Sequence, residues 1–167
     1  MVDQILELER AGLDAVNILA RLNRQLLEDE NSAFRPSLME LASRMSGWIS
    51  GQEWSVDLFR NAGHDVVGFI VHGRRFNPAA PGGDEMYIRQ FAIDRAFRRS
   101  GFGRLAISLF MEQRCVPGMR VMLDVLETNP AGKAFWAEVG FAPHAMIMEF
   151  TVSPVSLEPP APPPKKN

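Results

Sequence analysis

Only one cysteine, one tyrosine and three histidines occur among the 167 residues. A lone thiol, Cys115, excludes an intrachain disulfide and suits a reducing compartment, so a cytoplasmic location is expected. It follows an apolar, helix-like run and reads as a buried, inert thiol. Three scattered histidines and one cysteine offer no metal-ligand spacing, and no metal is expected. No apolar run approaches the roughly 18 residues of a membrane span. The N-terminus carries acids where a secretory signal has a basic segment, so neither a membrane nor a secretory route is expected. Neither sign of charge dominates. The formal net charge is −2 and the pI is near 5.9, which argues against a nucleic-acid partner. Apolar residues, by contrast, make up 46% of the chain against 23% charged. That is enough for one globular domain with a sizeable core.

Hydrophobic spacing gives the order of elements. Residues 3 to 9 are ambiguous and are read as a short strand. From Gly12, the apolar residues Leu13, Val16, Leu19, Leu22, Leu26 and Leu27 fall on one helical stripe. Ser37 and Glu40 have capping-box spacing ahead of a second amphipathic helix with Leu38, Leu41, Met45 and Trp48. Trp54 to Arg60 alternates as a strand, Asn61 to Asp65 reads as a hairpin turn, and Val66 to Val71 as a buried strand. Phe76 to Asp84, with two prolines and two glycines, is a loop. Met86 to Ile93 is predicted as a strand, Gly103 to Arg114 as a helix and Met119 to Leu126 as a strand. Asn129-Pro130 starts a helix that Gly140 ends, and Ala145 to Thr151 reads as a final strand. Six of the twelve prolines lie beyond Ser153. The expected division is therefore a domain over residues 1–152 and a flexible tail over 153–167. The architecture is a mixed α/β sheet, largely antiparallel, with one parallel β-α-β unit.

The chemistry concentrates in Arg98-Arg99-Ser100-Gly101-Phe102-Gly103, between the strand ending at Ile93 and the helix that follows. A strand that passes through a glycine-containing loop into a helix can cradle phosphate. Glycine allows close backbone approach, and the first helical turn offers free N–H groups and a positive dipole end. Arg95, Arg98, Arg99 and Arg104 crowd the same ten residues of an otherwise acidic chain. The segment reads as a pyrophosphate cradle. It is not a Walker loop, because Arg104 follows Gly103 where Lys-Ser/Thr is required. It is not a dinucleotide fingerprint either, because Ala106 replaces the third glycine.

These residues resemble the GNAT superfamily of acyl-CoA-dependent N-acyltransferases, over roughly residues 3 to 150. Arg98, Gly101 and Gly103 match its Arg/Gln-x-x-Gly-x-Gly/Ala fingerprint, with Ile93 five positions earlier. Leu123, Val125, Asn129, Phe135, Trp136, Gly140 and Phe141 follow in the family's downstream order. The resemblance implies acetyl-CoA as co-substrate, its diphosphate on the N–H groups of Arg99, Ser100, Gly101, Phe102, Gly103 and Arg104. Its pantetheine arm would lie beside Phe91, Ala92 and Ile93, with Arg98, Asn129, Phe135 and Trp136 also contributing. The N–H of Ile93 would polarise the thioester carbonyl. A primary amine of a small molecule or peptide would attack directly in a ternary complex. A homodimer is a further implication.

Proton transfer is less well specified. Many members place a tyrosine acid where this chain has Trp136, and an indole N–H has no useful acidity. Tyr87, six residues before Ile93, is either a proton relay or a packed aromatic. By strand alternation Glu85, Tyr87, Arg89, Phe91 and Ile93 are expected on one face, and Glu85 is a candidate base. Asn129 reads as a helix N-cap, a ligand contact or both. Glu127 and His144 either reach the acceptor or are solvated; His64 is a turn residue, and His72 has no partner visible in the sequence. Glu28-Asp29-Glu30 oppose the helix dipole. Either the helix stops before them or they serve another purpose, a cationic substrate or simple solvation. The departure at Trp136 leaves a second reading open, a non-catalytic acyl-CoA-binding or regulatory module. A third is an interaction protein whose proline-rich tail recruits a partner.

Overall fold

The computed structural model describes residues 5–152; the tail expected from residue 153 lies outside them. Five strands form one sheet in sequence order: β1 (Leu6–Arg10), β2 (Ser55–Asn61), β3 (Val66–Phe76), β4 (Asp84–Ile93) and β5 (Arg120–Leu123). Strands β1 to β4 are antiparallel to one another in turn. β4 and β5 are parallel, joined through α3 (Phe102–Arg114). α1 (Val16–Asp29) and α2 (Leu38–Ser50) lie between β1 and β2, and α4 (Pro130–Glu138) follows β5. This is the expected mixed α/β class, with its parallel unit where the sequence placed it.

Local signals explain the boundaries. Ser37 accepts from the Glu40 amide while Glu40 accepts from the Ser37 amide, so the capping box closes over α2. Asn61 Oδ1 accepts from the amides of Gly63 and Asp65 at 2.9 Å each, fixing the β2–β3 turn. The sheet is covered on both faces. Leu19, Leu22 and Met45 of α1 and α2 pack on Val56, Leu58, Phe69, Val71 and Ala92. Ala106, Ile107 and Phe110 of α3 pack on Phe59, Val67, Ile70, Met86, Ile88 and Ile93.

The last two contact sets expose an error in the expected alternation. His72 pairs with Ile88, but the next residue back, Val71, pairs with Gln90, so Arg89 is an extra residue in β4. Such a bulge reverses which parity faces which side. Before it, Met86 and Ile88 face α3; after it, Phe91 and Ile93 do, and Ala92 faces α1 and α2. Glu85, Tyr87 and Arg89 therefore do not share a face with Phe91 and Ile93.

Three strands differ from expectation. β5 covers only Arg120–Leu123, and residues 145–151 form no strand. Met146, Ile147, Met148 and Phe150 are instead 79–86% exposed. Apolar composition supplies β propensity, but a strand exists only in a ladder, and this run pairs with no edge among the described residues. The first strand begins at Leu6 rather than at residue 3, and residues 1–4 lie outside the description.

Candidate active site

β4 and β5 stay paired only from Glu85/Arg120 to Ile88/Leu123. β4 then continues to Ile93 while β5 has ended. Beyond the last pair the two strands part, and the bulge at Arg89 sits at the point of separation. Gly68 holds the β3 side close. A Cβ there would lie 2.3 Å from the Ala92 carbonyl oxygen, so only glycine fits beneath the end of β4.

The loop from Asp94 to α3 closes the foot of the gap. Asp94 caps a short 3-10 turn, Arg95–Phe97, through the Ala96 amide at 3.1 Å. Arg99 has φ +60° and Gly101 φ +88°. Two left-handed residues in three turn the chain sharply into the first turn of α3. Turns of this kind let successive N–H groups line an anion-binding concavity, and the 13-residue helix adds its dipole. A non-glycine residue in this region stores strain, so Arg99 is held there by its surroundings. Gly103 has a packing reason: a Cβ would meet Phe135 at 3.0 Å, so the glycine lets α3 and α4 approach.

The arginines of this loop divide by partner. Arg95 pairs with Glu28 at 2.9 Å and Asp29 at 2.7 Å. Arg98 pairs with Asp29 at 2.6 Å and donates through Nε to the Ile93 carbonyl at 2.8 Å. Arg104 pairs with Glu138. Burial pushes the Asp29 carboxyl up, but the Arg95 and Arg98 guanidiniums outweigh it and hold it below the ordinary value. The acids at the end of α1 thus answer the loop's arginines, and α1 does continue through Glu28 and Asp29. Arg99 alone of the four makes no ion pair among the described residues.

Half-buried aromatic rings line the wall on the α3 and α4 side. Phe91 stacks on Phe135 at 5.7 Å and meets Trp136 at 5.5 Å, and Trp136 meets Phe141 at 5.0 Å. α4 contributes no fully buried residue. Asn129 Oδ1 accepts from the Gly132 amide at 2.8 Å, so this residue caps α4.

On the opposite face, Tyr87 donates to Asp124 Oδ2 at 2.6 Å, linking the strands just where they part. Burial, then the hydrogen bond and charge of Asp124, push the Tyr87 hydroxyl up to about 12. Asp124 is the site residue that the sequence reading missed. Its signal was the single acid within the apolar run Met119 to Leu126. Glu85 is buried and bound by Arg75, by Asn77 at 2.9 Å and by Arg120 at 3.2 Å. Burial raises its carboxyl, but these partners bring it below the ordinary value.

The remaining candidates lie elsewhere. His72 does have a partner: its Nε2 meets buried Asp57 at 2.9 Å, and Arg114 donates to the same carboxylate at 2.8 Å. Cys115 is half-buried, and burial pushes its thiol up. Glu127 pairs with Lys133, His144 is exposed, and His64 occupies the β2–β3 turn at φ +63°. Two half-open concavities lie away from the gap. One of about 250 Å³ is lined by Arg24, Phe34 and Leu41 among others, and one of about 350 Å³ by Arg74, Pro117 and Met119 among others.

The geometry agrees with the comparisons. The sequence profile of the acetyltransferase (GNAT) family matches residues 23–141. No curated protein sequence matches the chain. A mutant of the BH1408 protein from Bacillus halodurans is 22% identical, with a TM-score of 0.70 over 88% of this chain and 99% of that one. A possible acetyltransferase from Clostridium difficile 630 is 17% identical, with a TM-score of 0.71 over 89% and 99%. An aminoglycoside acetyltransferase, meta-AAC0020, from an uncultured soil metagenomic sample is 15% identical, with a TM-score of 0.60 over 89% and 95%. The solved structures share the fold, and the profile covers most of the chain, including the loop, the diverging strands and α4. The chain therefore belongs to the acetyltransferase (GNAT) family.

Proposed function

We propose that the protein transfers the acetyl group of acetyl-CoA to a primary amine of a small molecule or peptide, in a ternary complex. The observation that carries this reading is the parting of β4 and β5 directly above a loop with left-handed Arg99 and Gly101. Acetyl-CoA supplies an activated thioester carbonyl. The amides of residues 99–104 and the Arg99 guanidinium would hold its diphosphate. Phe91, Ala92 and Ile93 would flank the pantetheine, and the Ile93 amide would stabilise charge developing on the carbonyl oxygen. The C–S bond breaks as the C–N bond forms; the nitrogen gives up one proton and the sulfur takes one. Tyr87 keeps its own proton at neutral pH and directs it at Asp124. Its oxygen thus presents lone pairs to an incoming N–H, and Asp124 is the charge toward which the released proton moves. We assign this work to Tyr87 and Asp124 rather than to Glu85, whose carboxylate is already bound by two arginines and an asparagine.

Calorimetry with acetyl-CoA tests the reading. Wild type should bind, Gly101→Ala should bind more weakly because of backbone strain, and Gly101→Glu should not bind, at melting temperatures similar to that of Gly101→Ala. Absence of heat with folded wild type would overturn it. One observation favours the second reading, a non-catalytic acyl-CoA-binding module: Trp136 stands in the aromatic wall where many relatives carry an acid. Tight binding without thiol release on any amine would decide for that module. The proposal extends to a cytoplasmic location, homodimerisation, and no nucleic-acid or membrane partner. Among the described residues no helix is long and apolar enough to cross a membrane.

A further inference from the structure

A run of cations and rings crosses the α1–α2 face beside Tyr87. The Arg44 guanidinium lies 5.6 Å from the Phe34 ring centre and 5.2 Å from that of Trp48. Arg89, the bulge residue, lies 5.2 Å from Trp48 and 4.9 Å from Trp54. Trp54 in turn meets Tyr87 at 6.1 Å. Two guanidiniums therefore share one indole, and neither has an acidic partner among the described residues. Arg44 is bonded to Asn23 Oδ1, and Asn23, fully buried, donates to Gln90 at 2.6 Å. Yet Arg44 Nε is buried with no hydrogen-bond partner. Burial, then the charge of Arg89, hold the Arg44 guanidinium below its ordinary range. Every other arginine near the gap except Arg99 has an acid: Arg75 and Arg120 have Glu85, Arg95 and Arg98 have Asp29, Arg104 has Glu138.

Half-buried Arg44 and exposed Arg89 stand side by side without a counter-charge; like charges so placed repel, and an anion between them removes that cost. Flat guanidiniums stacked on indole rings are already oriented, so little ordering entropy opposes a bidentate contact. Tyr87 and Arg89 are two residues apart on the same face of β4, about 7 Å along the strand. An anion at Arg89 is then within one small molecule's length of the Tyr87 oxygen.

We propose that the acceptor is a small amine that also carries an anionic oxygen group, docked between Arg44 and Arg89 while its nitrogen faces Tyr87 and Asp124. This rests on the acetyltransferase reading and names its substrate class. The same cations would repel a polyamine or an aminoglycoside.

Matched acceptors test it. Free amino acids and aminoalkyl phosphates are compared with their neutral counterparts, amino-acid amides and simple alkylamines, and with an aminoglycoside. Thiol release is followed at saturating acetyl-CoA, and acetyl-CoA binding is measured separately by calorimetry. At least one anionic series should exceed its neutral counterpart in kcat/KM by about tenfold or more, mainly through KM; which series responds tells carboxylate from phosphate. Arg89→Gln and Arg44→Gln should bring that ratio toward one, and Arg89→Lys, which keeps the charge, should retain part of it. Equal or better use of neutral or polycationic amines would overturn the inference, as would no turnover of any anionic amine by protein that binds acetyl-CoA. Failure to bind acetyl-CoA would instead overturn the acetyltransferase reading.

Discussion

Arg98 and Arg99 are neighbours of one kind, yet their surroundings give them different work. Arg98 is engaged twice, by Asp29 and by the Ile93 carbonyl, and so ties the loop to the end of β4. Arg99 makes no ion pair among the described residues and sits in the left-handed region. A guanidinium bonding a phosphate contributes about 1.5–3 kcal/mol. Arg99→Ala should therefore weaken acetyl-CoA binding by roughly tenfold or more in calorimetry. Arg95→Ala, which removes only a contact to α1, should change that affinity less than about threefold. Tyr87→Phe keeps the ring but removes the oxygen that meets Asp124. Its acetyl-transfer rate should fall at least about tenfold with acetyl-CoA affinity unchanged; an unchanged rate would return Tyr87 to a packing role.

Among the elements, β4 was read correctly as a strand and incorrectly as an uninterrupted one. Nothing in Glu85-Met86-Tyr87-Ile88-Arg89-Gln90-Phe91 marks Arg89 as extra. The bulge is set by pairing with β3, which lies more than ten residues away. The loop, α3 and α4 were legible because glycine spacing, an apolar stripe and, for α4, the capping Asn129 are local signals. The pairing of Glu28 and Asp29 with the loop arginines was not, because it joins residues more than sixty apart. Asp124 stayed hidden because one acid after a strand is common; only its 2.6 Å contact with Tyr87 distinguishes it. Residues 145–151 were overread because composition reports propensity and not the presence of an edge. At this scale Gly68→Ala is the sharpest probe. Its methyl would meet the Ala92 carbonyl at 2.3 Å, and strand β3 would have to shift from β4. Urea unfolding should show a loss of about 1–3 kcal/mol.

The whole molecule is held at one end by a buried charge network. Asp57 in β2 is reached by Arg10 from β1 at 3.4 Å, His72 from β3 at 2.9 Å and Arg114 from α3 at 2.8 Å. Burial raises the Asp57 carboxyl, but these partners outweigh it and leave it below the ordinary 3.8. A carboxyl lowered by folding adds stability above its unfolded value and loses it as pH falls through the folded one. The melting temperature should therefore drop steeply below about pH 4, a window shared by Asp29 and Glu85. Asp57→Asn should flatten that acid limb. Asp57→Ala, which leaves half-buried Arg114 and buried His72 without their shared partner, should cost about 1–3 kcal/mol at neutral pH. At the C-terminal end of the described chain, Met146, Ile147, Met148, Phe150 and Val152 are 76–86% exposed. Surfaces of this kind drive association, so sedimentation velocity should show concentration-dependent self-association that Phe150→Asp relieves.

The inserted residue at position 89 also bears on how such a chain can diverge. Losing Arg89 alone would restore plain alternation, with Met86, Ile88, Phe91 and Ile93 still on the α3 side and Ala92 still on the other. At this point β4 can change its length without turning an apolar side chain away from its layer. Insertion and deletion are therefore tolerated here while both helical layers keep their packing.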